Sequence, residues 1–575
     1  MVNIMVGGNK ISGGDVLIKC LLEENVKYMF GIPGGQLLTM YDAIYRWGRE
    51  KGIDTVMFRH EQAAAHAADA WARVTNKPGV CFGTVGPGAA HLVPGITAAW
   101  ADNIPVVSIV PQVDIALEDT FTLQGNLDQV SLFKPITKYQ TSVRELKKIP
   151  NAVQQIFREA TGGRPQPVLL EIFPDALVEQ INEDEIPILQ KEQYRAFNKP
   201  TISKELISKS LTLLKNAKKP LIVSGGGVMR AEGWHELKEF AEYLQIPVMT
   251  TIMGIGTMEF SSNCYLGAAM SSTIFQASSQ ADVVLALGCK FGFSLGHGKA
   301  PTWNKSQKMI QVDIDPGIIG FSKPITLGVQ GDCKMFLKQI LEEVKKTDNI
   351  NKREWLDSLS EKRKSVNESK MRVASTDEIP IDSQRMIKEV FQFMDEDAIL
   401  VVDAGNTAFF ALEQIDFYKP RKPLSTLQPI GMGHLGVSVP YGIAAKLAKP
   451  DKQVISVSGD GAFMMNIQDL ETAVRLGLKN LIYVIANNNA WGMIKVGQEF
   501  GYQKRYIDTD LPDFDFAKCA EGFGCYGETI EDPNQLKPAL ERAKNSNKTA
   551  VLDVKVKYST PDVLMLMFTL GIYFR

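Results

Sequence analysis

Gly459-Asp460-Gly461, followed after 25 residues by Asn487-Asn488, is a spacing able to hold a diphosphate through a divalent metal. The two glycines let the backbone approach a phosphate with no Cβ in the way. Asp460 offers a hard carboxylate oxygen and Asn488 an amide oxygen. Oxygen ligands of this kind, joined by a main-chain carbonyl, phosphate oxygens and a water, suit Mg2+ or Ca2+. Gly-Asp-Gly alone reads as a turn. Its flanks make it specific. Val454 to Ser458 reads as a buried strand, and residues 467–475 carry Ile467, Leu470, Ala473 and Val474 at helical spacing. Leu481 to Ala486 reads as a second buried strand, which delivers the Asn pair.

A second cluster lies almost 400 residues earlier. Phe58-Arg59-His60-Glu61-Gln62 follows an apolar strand, Thr55 to Phe58, and precedes an Ala-rich helix, Ala63 to Arg73. A Glu at such a junction is placed to be buried. It could equally be a carboxylate satisfying free N–H groups at a helix N-terminus. His60, His66, His91, His297 and His434 are five of only six histidines, and none is assigned as a general base. Gly225-Gly226-Gly227 suggests a nicotinamide-nucleotide site, but it lacks the GxGxxG spacing.

The elements that must position these residues fall into three α/β blocks. The first, 1–185, alternates helices with apolar strands such as Gly79 to Thr84 and Val106 to Val110. The second, 200–345, runs from the strand Pro220 to Ser224 through Asp282 to Gly288 and Met309 to Asp313. A charged segment near 345–375 reads as helix and linker. The third block, 375–575, opens with the strand Ala398 to Asp403 and holds the metal motif. This alternation predicts parallel sheets covered on both faces, an α/β, doubly wound architecture in each block.

Composition narrows the function classes. A chain of 575 residues exceeds what one core supports. With 63 basic against 65 acidic residues there is no reason to expect nucleic acid or an acidic membrane surface. The seven cysteines show no CxxC pair, which predicts buried free thiols in a reducing compartment. The apolar run Val563 to Phe574 is too short to span a bilayer and is expected to cap a groove or dock on the body. A cytoplasmic enzyme is the default.

In this order, the motifs resemble those of thiamin-diphosphate-dependent enzymes, and the resemblance covers essentially the whole chain. It implies a pyrimidine-binding domain, a central Rossmann-like domain and a diphosphate-binding domain. Asp460, Asn488 and the carbonyl of Ala490 would hold Mg2+. Glu61 would hydrogen-bond N1′ of the cofactor's aminopyrimidine, where burial suits a shared proton. Gly431-Met-Gly433-His-Leu435-Gly436 resembles the pyrimidine loop, with the Gly433 carbonyl accepting the 4′-amino group and Leu435 wedging the cofactor into a V. Many relatives carry Met there. Further cofactor contacts fall on Pro33, Gly86, Gly459, Gly461, Ala462, Trp491 and Gly492. Because in this family Glu and diphosphate site come from different subunits, the resemblance implies a homodimer at minimum and a homotetramer as the expected assembly.

Branches of the family compete. Phe30-Gly-Ile-Pro33-Gly34-Gly35 and Met253-Gly254-Ile255-Gly256 look like acetolactate synthase. Thr122-Leu123-Gln124, Asp128-Gln129-Val130, Pro135 to Lys138, and Leu287 to Gly298 look like benzaldehyde lyase. Lys299 to Asp315 is similar to oxalyl-CoA decarboxylase and 2-hydroxyacyl-CoA lyase. Gly497 stands where acetolactate synthases carry a Trp. Phe291-Gly292-Phe293 stands where they carry flavin-binding residues, which argues against bound FAD. Gln36 replaces the lyase's pocket His, beside Gly35, and Gln124 matches its pocket Gln. A neutral amide can orient a carbonyl but cannot do a histidine's proton transfer.

The expected function is therefore a lyase or carboligase that cleaves or forms 2-hydroxy ketones through an enamine. Its substrate is an aldehyde, 2-hydroxy ketone or 2-keto acid, with catalytic contacts from Glu61, Gly35, Gln36 and Gln124. Acetolactate synthase-type condensation of 2-keto acids comes second, and an acyl-CoA cleavage third. A non-catalytic binder of the cofactor is a different class of reading. It leaves Glu61 unexplained, because binding alone needs no proton relay.

Overall fold

A computed structural model describes residues 10–270, 272–346, 351–419 and 421–569. It contains three six-stranded, all-parallel sheets. The strand sequences explain this: parallel strands are covered on both faces, so they read as unbroken apolar runs. Leu481–Asn487 is buried at every position, and so are Val106–Pro111 and Val283–Leu287.

Residues 10–198 form one compact unit with Val439–Ala448 and Asn466–Thr472. Its sheet runs in the spatial order Asp54–Met57, Tyr28–Gly31, Gly79–Phe82, Val106–Pro111, Val168–Ile172, Tyr139–Val143. Two helices beside this sheet, Glu61–Thr75 and Pro87–Asp102, matter most for the site. Their small residues let the backbones close in: a Cβ built on Gly95 would lie 2.4 Å from that of Ala65. Between the helices, Arg73 pairs with Asp69 at 2.9 Å and with Asp102 at 2.9 Å, and the Tyr441 hydroxyl also donates to Asp69. All four side chains are buried.

The second unit holds the other two sheets. One runs Tyr265–Ala268, Val248–Thr250, Pro220–Ser224, Val283–Leu287, Lys308–Asp313, Leu327–Gln330. Here the Gly225-Gly226-Gly227 run serves packing, since a Cβ on Gly225 would meet the Gly288 carbonyl oxygen at 2.1 Å. The other runs Thr426–Leu427, Ile399–Val402, Val454–Gly459, Leu481–Asn487, Thr549–Lys555, Tyr526–Ile530. The charged stretch after the central sheet forms one helix, Arg353–Val373.

The seven cysteines are free thiols, six of them buried. Asp562–Thr569 is a helix docked by Val563, Leu564 and Met567 against Phe409 and Val496. The rest of the apolar C-terminal run, 570–574, lies outside the described residues. Among the described residues no helix is long and apolar enough to cross a membrane.

Candidate functional site

Strand register puts the metal motif together. Val454 pairs with Leu481 and Gly459 with Ala486, so Asp460 and Asn487-Asn488 leave two adjacent parallel strands at the same edge. Ligands of open α/β sheets collect at such carboxyl ends. Asp460 is 5% exposed and opens the short helix Asp460–Met464. This helix begins directly at the motif. The periodicity of 467–475 placed it later, and that stretch is a 3-10 turn, Ile467–Asp469, followed by the helix Leu470–Arg475.

The Asp460 carboxylate accepts the N–H of Gly461 at 2.8 Å and that of Ala490 at 3.3 Å. Burial pushes this carboxyl up, and backbone N–H groups of Gly461, Ala490, Asn489 and Asn488 pull it back down. The loop carrying Asn488 and Ala490 is thus folded over Asp460. The two asparagines separate in role. Asn487 donates to Asp553 at 2.9 Å and to the Phe514 carbonyl at 3.1 Å, which braces the loop's base. The Asn488 side chain is half-buried, and the buried Oδ1 of Asn489 has no partner among the described residues. The Ala490 carbonyl accepts Gly492 N–H at 2.8 Å but keeps a second lone pair. Trp491 covers Gly461, where a Cβ would come within 2.6 Å of the indole. Ala462 is buried on the same short helix.

A third segment, missed in the sequence, completes this cradle. Asp403 is fully buried, and its carboxylate accepts from Ala404, Gly436, Val437 and Ser438 N–H and from the Ser458 hydroxyl, at 2.8–3.4 Å. It ties the Gly431–Gly436 loop to the strand that ends in Gly459. Burial pushes the Asp403 carboxyl up and these donors lower it. Gly405 follows at φ +94°, and a Cβ there would lie 3.4 Å from Leu435. Asn406 leaves a buried Oδ1 unpaired and packs against Gly492. Gly433 has φ +66° and open space around its α-carbon. Hard, buried oxygens without partners, glycine-lined space and one immobilised carboxylate fit a metal-held diphosphate. Gly497 lies within the helix Gly492–Gly501.

In the other unit, Glu61 is the first residue of its helix and 6% exposed. Its Oε2 lies 3.1 Å from Nδ1 of His91, which sits one turn into the helix that begins at Pro87. His60 caps the Glu61 helix by accepting the Gln62 N–H at its Nδ1, 3.1 Å. The His60 and His91 rings overlap with centroids 4.5 Å apart. Burial, then the nearby His91, holds the His60 imidazole below its usual value. Arg59 is anchored from below. Asp469, fully buried, accepts its N–H at 2.8 Å, and Glu471 accepts its Nε at 2.8 Å.

The Thr84–Gly86 turn lies against two of the residues expected to contact substrate, Gln36 and Gln124. The Thr84 hydroxyl donates to Gln36 Oε1 at 3.0 Å, and Gly34 packs on Thr84. Gly86, at φ +71°, lies under Gln124, whose carbonyl oxygen would be 2.5 Å from a Cβ there. The buried Gln129 accepts the Gly86 N–H at 2.9 Å and holds this loop against the sheet. Gly35, Pro33 and Gln124 are exposed and Gln36 half-buried.

Comparison with known proteins agrees with both halves. Residues 11–132 match the N-terminal TPP-binding domain of thiamine pyrophosphate enzymes, 207–340 their central domain and 403–554 their C-terminal TPP-binding domain. The probable acetolactate synthase large subunit of Methanococcus aeolicus is 34% identical over 569 residues, covering 96% of this chain and 93% of that protein. The corresponding Methanocaldococcus jannaschii protein is 33% identical over 557 residues, 95% and 92% of the two chains. Acetolactate synthase isozyme 3 large subunit of Escherichia coli is 32% identical over 560 residues, 95% of each.

Proposed function

Since the chain belongs to the acetolactate synthase superfamily of thiamin-diphosphate-dependent enzymes, we propose that it is a Mg2+-dependent carboligase performing a decarboxylating condensation of 2-keto acids. One keto acid loses CO2, and its remaining acyl carbon joins the carbonyl carbon of a second. This reverses the order expected from the motifs, where cleavage and formation of 2-hydroxy ketones came first. The observation that carries the change is the end-to-end similarity to acetolactate synthase large subunits. Gly497 and Gln124 keep acyloin cleavage as the second reading.

Thiamin diphosphate, when bound, supplies the electron sink for the carbanion left when a bond beside a carbonyl breaks. Asp460, Asn488 and the Ala490 carbonyl would hold Mg2+ and through it the diphosphate. Gly433 and Leu435 would hold and bend the pyrimidine end. Glu61 holds a proton at its carboxylate and exchanges it with the aminopyrimidine ring. The amides of Gln36 and Gln124 orient the substrate's carbonyl oxygen.

The working unit in this proposal is at least a dimer. Purified protein with thiamin diphosphate and Mg2+ would be offered pyruvate alone and, separately, benzoin or acetoin, with products followed by NMR. Acetolactate and CO2 from pyruvate are expected. Acyloin cleavage without acetolactate would overturn the proposal in favour of the second reading.

A further inference from the structure

Glu61 is not alone in its pocket. One carboxylate oxygen, Oε2, already has a partner in His91 Nδ1 at 3.1 Å. With Glu61 as the carboxylate it is the acceptor, which puts the ring proton on His91 Nδ1. The Glu61 side chain is 8% exposed and that of His91 48%, so the imidazole bridges a buried acid and the open side of the pocket. His60 supplies the second constraint. Its Nδ1 accepts the Gln62 N–H, which leaves its own proton on Nε2. Its ring lies 4.5 Å from that of His91 at 30°, limiting how far His91 can turn.

Two imidazoles and a carboxylate with donor atoms within 4.8 Å of one another also have the composition of a cation site. The hydrogen bonds argue against that use. His60 has one nitrogen accepting a backbone N–H and the other protonated, so no lone pair is left for a metal.

We propose that His91 is a positioning residue for Glu61: as the Nδ1–H tautomer it occupies Oε2, fixes the plane of the carboxylate and leaves Oε1 to exchange the cofactor's proton. The stacked, neutral His60 ring holds His91 in that orientation. The proposal rests on the reading of Glu61 as the proton relay. Its first test needs no cofactor.

In the cofactor-free full chain labelled with 15N-histidine, the His91 signal, assigned by His91→Asn, should show a protonated Nδ1. Glu61→Gln should shift it. A His91 protonated at Nε2, or blind to Glu61→Gln, overturns the proposal. The second test follows exchange of the C2 proton of bound thiamin diphosphate for deuterium. His91→Leu should slow it by about tenfold or more, while His91→Asn, whose amide can still donate to Oε2, should stay within about threefold of the parent. Cofactor affinity should change by less than about threefold in both variants, which separates positioning from loss of the pocket. Wild-type exchange in His91→Leu contradicts the proposal. Fast exchange in Glu61→Gln would instead sink the relay reading, and the tautomer measurement would still decide the His91–Glu61 contact.

Discussion

Asp469 makes a sharp prediction about pH. It is fully buried, and its Oδ1 accepts from the Arg59 N–H at 2.8 Å and the Thr472 hydroxyl at 2.9 Å, while Oδ2 has no partner. Burial raises its carboxyl from 3.8 to about 6, against the lowering effect of those donors. A folded value above the unfolded one means that the native state holds the proton more tightly. Stability from this group is therefore greatest below pH 3.8, falls as pH rises towards 6, and is flat beyond. The full loss is about 3 kcal/mol. Asn at 469 keeps the accepting oxygen and carries no charge. Asp469→Asn should match the parent near pH 4 and gain on it until about pH 6. Above that, the melting midpoint of this unit should be higher by roughly 6–12 °C, at about 2–4 °C per kcal/mol for a domain of this size. Thermal melts of both proteins from pH 4 to 8 would show it. Parallel curves, or a less stable Asn variant at neutral pH, would refute the reasoning.

Other consequences concern packing and the cradle. Arg73→Met removes the cation bonded to both Asp69 and Asp102, and should cost about 3–5 kcal/mol in urea unfolding of that unit. Gly461→Ala drives a methyl into the Trp491 indole, and the displaced ring should weaken cofactor binding by about 1–3 kcal/mol in a fluorescence titration with far-ultraviolet dichroism unchanged. Asp460→Asn removes the carboxylate proposed to hold Mg2+, so thiamin diphosphate affinity should lose its Mg2+ dependence. Chelation by EDTA should lower the parent's affinity to about that of the variant.

Much of this site could be read from residue order, and the exceptions have a common cause. Asp460 and the Asn pair stood out because two apolar strands of parallel-sheet character frame them, and strand register then forces them to one edge. Glu61 stood out because it follows a strand and opens an Ala-rich helix. Asp403 did not. Its donors come from three separate stretches, 404, 436–438 and 458, and only the folded sheet brings these to one carboxylate. His91 likewise meets Glu61 only because Gly95 lets its helix lie against Ala65. The early helix at Asp460–Met464 was invisible to periodicity, since five residues are too few to show a 3.6-residue repeat. Substrate preference stayed open for a different reason. Gly35 and Gln36 lie in the short 3-10 turn Gly35–Leu37 and Gln124 in a turn, and the chemistry of such connecting segments depends on where their supports place them.

The central claim is that Glu61 is the acid–base group of a thiamin-diphosphate carboligase. The most direct measurement is turnover of pyruvate by Glu61→Gln, with cofactor occupancy checked in the same sample. The account predicts retained thiamin diphosphate and a rate lower by about 10²–10⁴-fold. Unchanged turnover with cofactor bound would contradict it.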